Sequence, residues 1–311
     1  MIFGFRDRLA ILMYHRVLST PDPFHAGDVD ALAFDWQLSV VKRYFNVLPL
    51  TEAAERLKRG TLPRRAVAIT FDDGYADNVE IALPILQRHG LHATFFIATD
   101  YLDGGRMWND TVIEAIARAP TATLDLTALE LGTHDIAEVA ARARVIDKVL
   151  GQLKYLPPAE REQKCNAIAA HIGTSLPDNL MMTTTQLRAL HAAGMEIGAH
   201  TLRHPILARV SDEQARSEIV GSRDRLRDLL GHDISTFAYP NGRPGVDYGR
   251  RDVEIVRSAG FKVAVSTARG HANSNMDAHQ LARIAPWDKT PLRFALRIFR
   301  CYLEAPPALA F

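Results

Sequence analysis

The 311-residue chain lacks most of the features that narrow a function quickly. It has two cysteines, Cys165 and Cys301, far apart in sequence. A disulfide framework needs more of them, and the CxxC spacing of a metal knuckle is missing, so both are excluded. What remains for these two is the role of small buried apolar side chains. Neither sign of charge predominates. Lys and Arg total 37 against 36 acids, leaving +1, so no polyanion footprint exists and nucleic acid is not an expected partner. No apolar run reaches the roughly 18 residues that a bilayer-spanning helix takes. The opening MIFGFRDRLAILMYHRV is interrupted by Arg6, Asp7 and Arg8 where an export leader would be apolar. As written the chain is expected in the cytoplasm; with a leader removed, it would be periplasmic or membrane-associated. Neither GxGxxG nor a P-loop occurs, which removes the glycine-rich phosphate cradles.

Apolar residues make up 47% of the chain, enough to bury a core the size of one large α/β barrel. Seven short, hydrophobic runs alternate with helical patterns: 9–15, 66–71, 93–98, 195–200, 234–240, 262–267 and 280–285. Such runs suit strands covered on both faces, and the alternation predicts βα units around a parallel sheet. Helices are expected at 34–45 and 51–58. Another is expected over 211–231, opening at Ser211 and stopping at Gly231, and one more ends at Gly90. From about 108 to 190 no convincing strand is visible. This stretch is expected to be an α-helical insertion packed on a single domain that spans 1–311. The tail from Thr290 sets Leu292, Phe294, Leu296, Ile298, Phe299 and Leu303 against Arg293, Arg297 and Arg300. It predicts a helix closing the barrel wall, with peripheral membrane contact as the alternative.

Catalytic groups of parallel barrels project from the C-terminal ends of strands. Four such ends carry chemistry here. After AVAITF stand two adjacent acids, Asp72 and Asp73, then Gly74. Neighbouring residues on a strand point apart, so one acid can hold a cation while the other stays free as a base. His200 and His204 in HTLRHP are four apart, yet Thr201 stands where a zincin helix needs glutamate, and Pro205 disfavours helix at His204. The pair is expected on a turn. With Asp73 it makes a two-histidine, one-carboxylate set that leaves coordination positions open for water and substrate. FAYPNG makes a tight turn whose backbone N–H groups can face an oxyanion. His15 ends the first strand.

Taken together, TFDDG at 70–74 and HTxxH at 200–204 resemble two motifs of the NodB-homology polysaccharide deacetylases, carbohydrate esterase family 4. The resemblance covers roughly 9–100 and 190–285. It implies a distorted (β/α)7 barrel holding one divalent metal, zinc first, with Co2+, Ni2+ or Mn2+ as alternatives. It further implies Asp72 as general base and Asp73, His200 and His204 as metal ligands. The family's RxPY motif appears here as Ala238-Tyr239-Pro240-Asn241, without its arginine and tyrosine. The Asn241 N–H is expected to supply the oxyanion contact. Arg283 is the first candidate to orient the base and Arg243 the second. The family's late LxH motif has no match, since His271 and His279 lack its context. The early YH strand is similar to the subgroup acting on poly-N-acetylglucosamine-type exopolysaccharide, which assigns the general acid to His15. Trp108, Tyr239, Pro240 and Trp287 are expected to contact sugar. The implied reaction is removal of N-acetyl groups from a glycan, with lipid-linked or nucleotide-linked amino sugars as alternative substrates. O-acetyl ester or cyclic-amide hydrolysis on the same site, or non-catalytic carbohydrate binding, are the competing functions.

Overall fold

The computed structural model describes residues 7–304. All seven expected strands form. They are β1 (Arg8–Tyr14), β2 (Ala66–Phe71), β3 (Thr94–Ile97), β4 (Glu196–Ala199), β5 (Thr236–Ala238), β6 (Val263–Arg269) and β7 (Leu281–Arg283). They pair in chain order and all in parallel. β1 then meets the end of β7: Leu12 stands opposite Ile284, and Met13 N–H donates to the Ile284 carbonyl at 2.9 Å. The ring is distorted because two strands are shared along their length. The start of β1 pairs antiparallel with Ala272–Asn273, and the start of β2 pairs with Asn46–Val47.

Every residue of β2 is buried, as expected for a strand covered on both faces. Its two rows serve two cores. Val67, Ile69 and Phe71 join Phe95, Ile97, Phe34, Leu86, Ile219 and Phe294 in the larger cluster, against the surrounding helices. Ala66 and Ala68 join Leu9, Ile11, Phe96, Ala238, Val265 and Leu281 in a smaller cluster that fills the ring. Period-two alternation then sets which side chains continue the inner rows. Beyond Ala66 and Ala68 come Thr70 and Asp72; beyond Leu281 comes Arg283; beyond Gly198 comes His200. Gly198 cannot be replaced cheaply, since a Cβ there would lie 2.5 Å from Thr236 Oγ1 and from the Phe96 ring.

Caps set the helix boundaries. The helix Asp212–Leu230 opens on a capping box of Ser211 and Gln214 and ends at Gly231, which is left-handed at φ 73°. The tail forms the helix Pro291–Leu303, whose Phe294, Ile298, Cys301 and Tyr302 are buried.

The chain divides into two compact units, one of residues up to Thr20, 27–103 and from Met182, the other of 21–26 and 104–181. The second contains the helices Trp108–Ala117, Val139–Leu153 and Pro158–Ile172 around Val112, Ile116, Val149 and Ile168. It also contains strands, contrary to expectation: Thr123–Leu126 and Gly132–Asp135 form an antiparallel hairpin. Their alternation of exposed and buried residues, TLDL and GTHD, is too short and too polar to stand out from a loop. The helix Thr184–Ala192 lies in the first unit, so the excursion stops short of 190. No helix among the described residues is long and apolar enough to cross a membrane.

Candidate active site

Asp72 extends β2 by one residue, its N–H donating to the Tyr14 carbonyl at 2.9 Å. Its side chain is 2% exposed and is gripped by Arg283, itself 1% exposed. Arg283 Nη1 donates to Oδ1 and Nη2 to Oδ2, each at 2.7 Å. This two-pronged fit is the strongest form of Arg–carboxylate pairing. The guanidinium is held in turn by the Ser266 carbonyl at 2.9 Å and Thr70 Oγ1 at 3.2 Å. Burial opposes ionisation of Asp72, but Arg283, with help from His200, outweighs it and holds the carboxyl below the usual range. Arg243, the second candidate for this place, is exposed at the surface.

Asp73 leaves the strand with a left-handed backbone, φ 77°, which turns it away from its neighbour. Its Oδ1 is buried and accepts no hydrogen bond. His200 Nε2 and His204 Nε2 each approach that atom to 3.4 Å. One ligand atom from each of the three residues lies within 4.8 Å of the others. His200 Nδ1 donates to the Ala238 carbonyl at 2.7 Å, which aims Nε2 at Asp73 and makes it the nitrogen that a neutral ring would offer to an ion. Burial opposes ionisation of Asp73 as well, yet His200, His204 and His15 hold its carboxyl well below the usual range. These three side chains fit a divalent transition ion. An orphaned buried carboxylate oxygen and two converging imidazoles are a donor set that zinc and its neighbours favour.

The turn carrying the histidines is strained and pinned. Four of the seven non-glycine residues with positive φ among those described belong to this site: Asp73, Thr201, His204 and Asn241. Such conformations persist where surrounding contacts over-determine them. Thr201 Oγ1 donates to the His200 carbonyl at 2.5 Å and accepts the His204 N–H at 3.0 Å. Glu218, from the helix Asp212–Leu230, accepts the Leu202 and Arg203 N–H groups, both at 2.9 Å. Neither Thr201 nor Glu218 has a sequence signal of its own beyond standing in or after HTxxH. If Asp73, His200 and His204 hold zinc, Glu218→Ala is expected to weaken its affinity about 10-fold, the lower end of the cost for partners bonded to a ligand itself, while Arg283 and Asp72 stay paired. A zinc titration with a competing chelator checks this; unchanged affinity would make the two hydrogen bonds irrelevant to the site.

His15 borders the same centre, its Nε2 4.0 Å from Asp72 Oδ2 and its side chain 42% exposed. Asn78 Nδ2 donates to the His15 carbonyl at 2.8 Å, and Asp77 binds Arg16 Nε at 2.8 Å and the Val17 N–H at 3.2 Å. The YADN immediately after TFDDG therefore fixes the backbone at His15 and just after it, a role the sequence does not announce. Asn241 stands three residues past the carbonyl that holds His200. Its own carbonyl accepts Thr267 Oγ1 at 2.8 Å. The turn needs Gly242, at φ 68°, where a Cβ would lie 2.9 Å from the Tyr239 carbonyl.

The four residues expected to contact sugar stand in different surroundings. Tyr239 is fully buried, stacked on Tyr248 at 3.9 Å with its hydroxyl donating to the His279 carbonyl. Its ring is a core group, and Pro240 is buried beside it. An apolar strand end draws both inward. Trp108 belongs to the second unit, where the Arg161 guanidinium lies 4.7 Å from its ring. Trp287 is 55% exposed, with Arg297 5.1 Å from its ring.

A seven-stranded parallel ring whose rim joins a paired acid, a second acid and two histidines is the architecture of the NodB-type deacetylases. A family profile described as polysaccharide deacetylase matches residues 59–125 and 153–264, and the chain belongs to that family of glycan-deacetylating hydrolases. It is similar to YxkH of Bacillus subtilis, a protein named for the same family, at 21% identity over 279 residues, covering 89% of this chain and 71% of the relative. Its fold is similar to the Streptococcus pyogenes deacetylase PplD, solved with acetate, with a TM-score of 0.62 and 20% identity over 95% of this chain and 98% of that one. IcaB from Ammonifex degensii matches with a TM-score of 0.60 and 19% identity over 94% and 97%.

Proposed function

We propose that the protein is a metal-dependent hydrolase that removes N-acetyl groups from N-acetylhexosamine residues of a glycan. The observation that carries this is the division between adjacent acids. Asp72 is bound to Arg283 and stands outside the ligand set, while Asp73 faces His200 and His204.

Asp73, His200 and His204 would hold the metal, zinc before Co2+, Ni2+ or Mn2+. When bound, such an ion polarises an acetyl carbonyl and makes water more acidic. Asp72 accepts the proton of the attacking water. Its oxygens keep lone pairs beyond those given to Arg283, so it can be both fixed and basic. Arg283 keeps the carboxylate ionised and sets its plane. The Asn241 N–H donates to the oxygen that gains charge as the carbonyl carbon becomes tetrahedral. His15 gives a proton to the departing sugar nitrogen, and the C–N bond breaks to release acetate and a free amine. The open flank of His15 is what a residue meeting a polymer or a carrier-linked sugar needs.

His15→Ala is expected to lower kcat by about 10²- to 10⁴-fold with bound metal unchanged. An unaltered rate across the pH profile would move the acid to another residue. The reaction itself is tested by acetate release from N-acetylglucosamine oligomers after metal loading, with chelated protein as control. Release from O-acetylated glycans alone would replace N-deacetylation with ester hydrolysis. No release from any acetylated sugar, with the metal bound, would favour carbohydrate binding without catalysis.

A further inference from the structure

Where the helix Pro291–Leu303 covers the ring close to the end of β7, a pocket of about 260 Å³ opens on the outer wall. Its floor is apolar, with buried Ile284 and Cys301, and exposed Leu296 borders it; its rim carries Arg269, Arg293, Arg297 and Arg300 against Asp288 and Glu304. Arg297 is paired with Asp288, and Arg300 with Glu304 at 2.9 Å. Arg269 and Arg293 have no carboxylate partner among the described residues, and both are exposed. The helix holds three arginines and no acid in a chain whose net charge is +1. Apolar exposure is concentrated in the same place. Of nine large hydrophobic residues exposed among the described residues, four fall within 287–303: Trp287, Leu292, Leu296 and Leu303.

We infer that this pocket binds the phosphate headgroup of a long-chain lipid. The chemistry rests on two independent features. Unpaired guanidinium groups select phosphate over a neutral headgroup, because their planar donors match its oxygens. The apolar floor and the exposed leucines beside it give an alkyl chain somewhere to lie, which a site for free phosphate has no use for. Protein carboxylates already neutralise two of the four arginines, so the other two provide the charge that a ligand must match. The inference does not depend on the deacetylation proposed above, since none of these residues belongs to the reactive set. If both hold, the protein meets its acetylated sugar at a lipid surface.

The test is calorimetric titration of the full chain with dodecyl phosphate below its micelle concentration, beside inorganic phosphate and dodecyl maltoside. Dodecyl phosphate should bind at least tenfold more tightly than either. Each arginine near an anionic lipid headgroup contributes about fivefold, so Arg269→Glu with Arg293→Glu should weaken binding by about 25-fold or more. Equal binding of inorganic phosphate would make this a free-anion site and overturn the lipid assignment. So would equal binding of the maltoside, or dodecyl phosphate binding that survives the double substitution. His200→Ala should bind dodecyl phosphate as the parent does, so that loss of deacetylation and loss of lipid binding are told apart.

Discussion

Asp72→Asn is expected to lose about 10²- to 10⁴-fold in kcat while keeping near-stoichiometric metal, because the amide cannot accept the proton and Asp73, His200 and His204 remain. It should also be less stable. Asp72 and Arg283 are both almost fully buried, and removing one charge leaves the other uncompensated, at a cost of about 3–5 kcal/mol. Replacing the second partner as well separates the two effects. Asp72→Asn with Arg283→Met should recover much of the lost melting temperature, since an apolar side chain of similar length removes the stranded charge, and recover none of the turnover. Thermal unfolding and acetate release, measured on the parent, the single and the double variant, check both halves. Near-normal activity in Asp72→Asn would remove it from the base role. An equally low melting temperature in the double variant would show that the pair is not what the buried Arg283 needs.

The second large effect belongs to the histidine turn. Metal binding stabilises the folded state in proportion to the logarithm of its concentration over the dissociation constant, about 4 kcal/mol at a thousandfold excess. Zinc should therefore raise the melting temperature of the chelated protein, and His200→Ala should abolish both that rise and the activity. His200 is the residue to remove, because it is buried and fixed by the Ala238 carbonyl. A His200→Ala protein that still gains stability from zinc and still turns over would end the case for this metal set. Asp72→Asn should keep the zinc-induced rise, which makes the two variants opposite in one assay and alike in the other.

Much of the fold can be read from the sequence because strands buried on both faces leave a direct hydrophobic trace. AVAITF, short, β-branched and apolar at five of its six positions, reads as such a strand, and Ser211 and Gly231 bound their helix through chemistry local to those residues. The candidate site is legible for a related reason: Asp72, Asp73, His200 and His204 stand at strand ends, where chemistry can be placed without disturbing the core. Other features depend on contacts between distant segments. Nothing about Glu218 within its helix reveals that it accepts two amides of the 201–204 turn. Tyr239 occupies a motif position yet is drawn into the core, beside Phe237 on the same row and stacked on Tyr248. The hairpin at 123–135 alternates weakly and contains Thr, Asp and His among its residues, so it carries the composition of a loop.

The Asp103 N–H donates to the Met182 carbonyl at 3.2 Å, and Asp103 also caps the helix beginning at Thr184, accepting its N–H at 2.7 Å. The polypeptide thus departs at 103 and rejoins at 182 through what is locally a closed stitch. Chain-closure entropy grows only slowly with the number of residues enclosed. The closing contact is made within the first unit alone, by Asp103, Met182 and Thr184, and its entropic cost depends only weakly on how many residues lie between.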